Sequence, residues 1–268
     1  MKLFFHKLGE GPALVILHGL YGSSDNWITV ARKLSEHFTV YLVDLRNHGR
    51  SPHVAEHSYQ AMAADLNELF IDEGIEKAYL MGHSMGGKTA MLFAAQHPEK
   101  ISRLIVVDIA PGRYTRVDEP SEHSIAHLNI VNAMLSLDFS QITTRTAIDA
   151  ELAKFINNIS VRQFIMKNVH RNANHSFSWK LNIEAISKGL PNILGAIPLE
   201  KTLQGNVLDT FPTLFIRGEN SDYITGEHIP EIYRYFPNAE IKGIPDAGHW
   251  VHADQPEKFM ETLTSFLL

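Results

Sequence analysis

The sequence predicts an α/β fold: a mostly parallel, doubly wound sheet of about seven strands, interrupted by a helical insertion. Two patterns predict it. Short apolar runs alternate with longer amphipathic stretches, as strands joined by crossover helices do. The segment from Gly112 to Thr210 is far too long for a loop and carries helical periodicity of its own.

The strand candidates, in order, are Leu3–Lys7, Ala13–Leu17, Thr39–Val43, Ala78–Met81, Leu104–Val107, Thr213–Ile216 and Glu240–Ile244. Val, Ile and Leu dominate the middle ones, as strands buried on both faces require. Only LGEGP separates the first two, which predicts an antiparallel hairpin. The others are far enough apart for parallel pairing. Between them, Tyr59, Met62, Ala63, Leu66, Leu69 and Phe70 recur at helical spacing. Similar patterns cover roughly 24–36, 85–96, 226–236 and 256–267. Within 112–210, helical stripes run through Ile125, Leu128, Val131 and Leu135, then Ile148, Leu152, Phe155 and Ile159, then Phe164–Val169. The chain therefore divides into a core of residues 1–111 and 211–268 and an inserted helical cap of residues 112–210.

Composition narrows the chemistry. The 268 residues are 44% apolar and 20% charged, with a net charge of −6 and no cysteine. Mild acidity disfavours nucleic-acid binding, which needs clustered Lys and Arg. The absence of cysteine removes thiolate nucleophiles and Cys-ligated metals, and fits a reducing compartment. No run reaches the length of a membrane helix, and MKLFFHKLGEG is too broken for a secretory apolar region. A cytoplasmic protein is expected.

Three motifs carry reactive groups. Gly82-His83-Ser84-Met85-Gly86 fits G-x-S-x-G between a strand and a helix. A serine on so sharp a turn needs nearly side-chain-free residues two before and two after it, and the turn lifts its hydroxyl from the sheet edge. His18-Gly19-Leu20-Tyr21-Gly22 follows another strand and can direct the Leu20 N–H toward the serine. Paired with the Met85 N–H, it would form an oxyanion hole. Gly19 and Tyr21 on that turn, with Trp250 beside His249, are candidate substrate contacts. Gly248-His249-Trp250 lies past the last strand, where a general base falls in this arrangement. His18 and His83 are expected to support their loops. His123 and His127, one helical turn apart, have metal-ligand spacing, but a solvated helix face is the expectation and no metal is assigned. The acid that orients the base has two candidates. Asp108 ends the strand after the nucleophile's strand. Asp222 lies one residue past Ser221, which stands where an acid usually follows the penultimate strand. Asp108 is favoured, and Asp246 is more remote.

With these residues placed, the chain resembles the α/β-hydrolase superfamily over its whole length, and within it the bacterial YbfF-type esterases and their mitochondrial relatives. The matching blocks are HGLYGS at His18–Ser23, DLRNHGRS at Asp44–Ser51, GHSMGGK at Gly82–Lys88, VDIAP at Val107–Pro111 and GHWVHA at Gly248–Ala253. Asn47-His48 and Lys88 separate this group from the commoner DxRGxG hydrolases. The resemblance implies cofactor-free hydrolysis of short- and medium-chain esters and acyl-CoA thioesters through a Ser84–His249–Asp108 triad, with an acid after the sixth strand of the common fold. Carbon–carbon hydrolases, cofactor-free haloperoxidases and hydrolase-like small-molecule receptors share much of this pattern. Lys88, Arg113 and Arg116 are candidate contacts for CoA phosphates. Solvated charge is the alternative for each.

Overall fold

In the computed structural model, which describes residues 1–114 and 121–268, the chain runs β1 (Phe5–Leu8), β2 (Ala13–Leu17), α1 (Ile28–Leu34), β3 (Thr39–Val43), α2 (Tyr59–Asp72), β4 (Ala78–His83), α3 (Met85–Gln96) and β5 (Ile101–Val107). An insertion follows: α4 (Glu122–Leu135), α5 (Arg145–Ala153), α6 (Ile159–Met166), a hairpin of β6 (Val169–Arg171) and β7 (Phe177–Trp179), α7 (Ile183–Leu194) and α8 (Leu199–Leu203). The core resumes with β8 (Thr213–Gly218), α9 (Ile229–Tyr235), β9 (Glu240–Ile244), α10 (Val251–Asp254) and α11 (Pro256–Leu267). Among the described residues no helix is long and apolar enough to cross a membrane.

The main sheet has seven strands in the order β1-β3-β2-β4-β5-β8-β9, all parallel except β1. The expected β1–β2 hairpin does not form: β1 pairs antiparallel with β3, Phe5 opposite Val43. The reason is burial. Leu14 to Leu17 of β2 are buried on both faces, and both its edges are taken by parallel neighbours, β3 and β4. The half-exposed β1 suits the sheet edge instead. Its link to β2 crosses the end of α1, where a Cβ on Gly9 would meet the Ser35 carbonyl at 2.3 Å and one on Gly11 the His37 carbonyl at 2.6 Å. Both glycines have positive φ, 74° and 132°, which side chains resist.

Helices cover both sheet faces. Leu66 and Phe70 of α2 and Phe93 of α3 pack in one core; Leu34 of α1 and Phe259 and Leu263 of α11 pack in the other. The stripe read for α4 is displaced. Ile125, Leu128 and Leu135 are exposed, and the buried apolar residues are Ile130, Val131, Ala133 and Met134. Ile148 and Leu152 are buried as expected, whereas Phe155 and Ile159 are exposed.

One ion pair anchors the segment between β3 and α2. Arg46 donates from Nε and Nη2 to the Asp65 carboxylate at 2.6 and 2.8 Å, and both side chains are buried. Its remaining donors reach the carbonyls of Glu56 and Ala61. Removing Arg46 takes the bidentate partner from the buried Asp65 carboxylate and leaves it, among the described residues, only the Met1 ammonium, 3.2 Å away. Arg46→Met is therefore expected to lower unfolding free energy by about 3–5 kcal/mol in urea titration; a loss under about 1 kcal/mol would show the pair to be solvated.

Candidate active site

Parallel strands end on one edge of the sheet, where sites form in open α/β folds. Ser84 follows β4, Gly19 and Leu20 follow β2, Asp108 follows β5, and His249 lies on the loop after β9.

Ser84 occupies a strained turn, with φ 52° and ψ −119°, and it is held because its neighbours leave no room for relaxation. A Cβ on Gly82 would lie 2.2 Å from the Gly86 carbonyl, and one on Gly86 would lie 2.5 Å from those of Leu17 and His18. The Ser84 N–H donates to the Val107 carbonyl at 3.0 Å, tying the turn to the neighbouring strand. Met85 opens α3, so its N–H has no acceptor within the helix. Its side chain is buried. Gly19 lies close by: a Cβ there would come within 3.2 Å of Ser84 Cβ.

Asp108 also has positive φ, 50°. Its carboxylate collects three donors: Gly218 N–H on Oδ1 at 3.0 Å, and the Ser221 hydroxyl and His249 Nδ1 on Oδ2, the last at 2.7 Å. Both oxygens already accept, Oδ1 from the Gly218 N–H and Oδ2 from the Ser221 hydroxyl, which suits the carboxylate form with the proton of the Asp108–His249 bond on Nδ1. Burial pushes the Asp108 pKa up, and the Ser221 hydroxyl and Gly218 amide oppose it. Burial also holds the His249 imidazolium below its ordinary pKa range, leaving Nε2 free to accept a proton. Asp222, the alternative acid, is exposed and makes no hydrogen bond or ion pair among the described residues. Ser221, at the position where an acid was sought, serves Asp108 as a donor.

Buried, neutral histidines brace the turns. His18 Nδ1–H donates to the Gly19 carbonyl at 2.8 Å while its Nε2 accepts from the Leu45 N–H at 3.0 Å. In a trans peptide the N–H opposes the C=O, so fixing the Gly19 carbonyl fixes the direction of the Leu20 N–H. His83 Nε2–H donates to the His249 carbonyl at 2.8 Å, and burial lowers its pKa to about 3. Loop support, the role expected of His18 and His83, is what their contacts provide.

A cavity of about 970 Å³ joins these groups. Gly19, Leu20, Tyr21, Ser84, His249 and Trp250 line it together with Ile130, Phe164 and Val161 of the insertion. Tyr223 also lines it and stacks on the His249 ring, centroids 3.9 Å apart. His123 and His127 are not on a solvated face: both line the cavity, and His127 Nε2 lies 3.1 Å from Tyr223 Oη. They face inward because α4 is rotated relative to the stripe read from sequence. Among the described residues no cluster of three metal-ligating side chains forms. Tyr223 escaped sequence reasoning because a lone aromatic in a loop carries no periodic signal; Phe164 falls on a predicted helical segment, but periodicity alone gives no sign that it faces the site.

Lys88 is neither a CoA contact nor solvated. It is buried, and Nζ donates to the carbonyls of Gly112, just past the core strand β5, and Gly195, at the end of α7, at 2.6 Å each. Burial lowers its pKa to about 7. Arg113 is exposed and outside the cavity lining, and Arg116 lies outside the described residues.

Fold and site together define an α/β hydrolase, and the chain belongs to that family: residues 12–256 match the family described as alpha/beta hydrolase fold. The chain is 40% identical over 261 residues to the sn-1-specific diacylglycerol lipase ABHD11 of Mus musculus, covering 96% of this chain and 81% of that protein. Esterase YbfF of Escherichia coli is 34% identical over 254 residues, covering 95% and 92%. A solved structure, a marine microorganism esterase, superposes with a TM-score of 0.92 at 46% identity and covers 99% of both chains.

Ser221→Ala removes one donor from Asp108 and so raises the carboxylate's pKa. The expected result is a fall of about tenfold in kcat on an ester substrate, with the acid limb of kcat/KM moved to higher pH. An unmoved limb would show that Ser221 does not act on Asp108.

Proposed function

We propose that the protein is a carboxylesterase that cleaves short- to medium-chain acyl esters, and acyl-CoA thioesters of the same acyl groups, through an acyl-enzyme. The observation that carries this reading is the 2.7 Å Asp108–His249 bond, behind a cavity that holds both His249 and the strained Ser84. Relatives named esterase and lipase support the ester class.

Ser84 Oγ attacks the acyl carbon as His249 Nε2 takes its proton, and Asp108 stabilises the imidazolium. The tetrahedral oxyanion receives the N–H groups of Leu20 and Met85, each such donor contributing about 3 kcal/mol of transition-state stabilisation. Collapse breaks the bond to the alcohol or thiol, which leaves with the proton from His249. Water then attacks the acyl-serine by the same steps and releases the acid. Residues 112–210 serve as the cap over the core of 1–111 and 211–268, and its Ile130, Val161 and Phe164 form an acyl-binding wall. Trp250 and Tyr21 close the wall from the core. No cofactor enters these steps.

Steady-state hydrolysis of p-nitrophenyl butyrate by wild type and Ser84→Ala tests the reading. Many turnovers are expected in wild type and none above background in the variant, with unchanged thermal unfolding. Turnover that survives in Ser84→Ala would overturn it.

A further inference from the structure

Asn47-His48, the pair that distinguishes this sequence among hydrolases, and the buried Asn168 have no part in the proton transfers. Their contacts converge on the turn that carries the Leu20 amide. Asn168 lies between α6 and β6 of the insertion and is 4% exposed. Its Nδ2 donates to the Tyr21 carbonyl at 2.8 Å and to the Ile165 carbonyl at 3.3 Å. Two carbonyls accept only from the NH₂ end of the amide, so its orientation is determined.

From Tyr21 the contact continues through the backbone. The Tyr21–Gly22 peptide places its N–H on the Gly19 carbonyl at 2.9 Å. That carbonyl shares a peptide plane with the Leu20 N–H. Asn168 therefore reaches the Leu20 amide through two hydrogen bonds and two peptide planes, a chain in which each bond polarises the next. The Tyr21 residue has φ 62°, which a side chain resists without outside support. His48 supplies that support on the core side. Its Nε2 accepts the Tyr21 N–H at 3.2 Å, while Nδ1–H donates to the Arg46 carbonyl at 2.9 Å. Burial holds this ring neutral. Asn47 closes the loop of contacts by gripping the insertion: its carbonyl accepts the Asn182 N–H at 3.0 Å and its Oδ1 the Asn182 Nδ2 at 3.1 Å, and Asn182 caps α7.

We propose that Asn168 is a positioning residue through which the seating of the insertion sets the Leu20 amide for the oxyanion, with Asn47-His48 as the fixed counterpart on the core. This inference rests on the esterase reading of the site. It makes the oxyanion hole a joint product of core and insertion: displacement of the insertion slackens the hole as well as opening the cavity.

The experiment compares wild type, Asn168→Ala and Asn168→Ser, the serine hydroxyl being too short to span the contact to Tyr21. Each is assayed for kcat and KM on p-nitrophenyl butyrate and for inhibition by an aryl trifluoromethyl ketone. The ketone's hemiketal with Ser84 places an oxyanion in the hole. Wild-type turnover that vanishes in Ser84→Ala is read first, and its absence would remove the esterase reading and this inference with it. Given that turnover, kcat is expected to fall about tenfold, part of what deleting one hole donor costs, with KM within about twofold. Affinity for the ketone is expected to fall by the same factor as kcat. Unchanged kcat and ketone affinity, or a rise in KM alone, in whichever variant folds, would overturn the proposal and leave Asn168 a packing residue.

Discussion

A hydrogen bond of 2.7 Å, from His249 Nδ1 to Asp108 Oδ2, joins residues 141 positions apart, and the order of the sheet is what brings them together. β5, β8 and β9 lie side by side, so the ends that carry Asp108 and the His249 loop are separated by one strand. The end of that strand fills the gap with two further donors to Asp108, the Gly218 amide and the Ser221 hydroxyl. The approach is tight enough that a Cβ on Gly218 would meet the Gly248 carbonyl at 2.3 Å. A buried carboxylate is costly unless it is paired and hydrogen-bonded, and these contacts place partners on both of its oxygens. Everything downstream, from the tautomer of His249 to the free Nε2, follows from that satisfaction.

The same economy governs the other buried imidazoles. His18 and His48 are 5.0 Å apart between ring centroids, and His83 and His249 4.7 Å. Protonation of His18, His48 or His83 would bury a charge beside a ring unable to neutralise it. Kept neutral by burial, His18 and His48 each offer one donor and one acceptor at fixed angles and serve as brackets between turns. Lys88 does comparable work with its amino group, which donates to two carbonyls and lies 4.8 Å over the Tyr114 ring.

Much of this architecture was legible in the sequence, because alternation of apolar runs and amphipathic stretches reports local periodicity. The placement of Ser84 and His249 at one edge of the sheet was legible from motif and position, as both follow strands. What was missed is non-local or degenerate. The partner of β1 depends on which strand edge remains free, which no short link reveals. The face of α4 was misread because apolar residues lie on both sides of it, Ile125 and Leu128 outward, Ile130 and Met134 inward. Charge at Lys88 suggested solvent or phosphate, and only the packed structure supplies the carbonyls that satisfy it. Between Asp108 and Asp222 the position at a strand end favoured Asp108 while the local pattern kept Asp222 as the alternative; of the two, only Asp108 contacts the His249 ring.

The central claim, that Asp108 holds His249 in the tautomer that activates Ser84, is tested most directly by kcat/KM for Asp108→Asn. The amide preserves shape but exchanges the carboxylate acceptor for an uncharged group that can present a donor to Nδ1. The account predicts a loss on the order of 10⁴-fold with thermal unfolding little changed, and no comparable loss in Asp222→Asn. Near-wild-type activity in Asp108→Asn, or a collapse in Asp222→Asn instead, would contradict it.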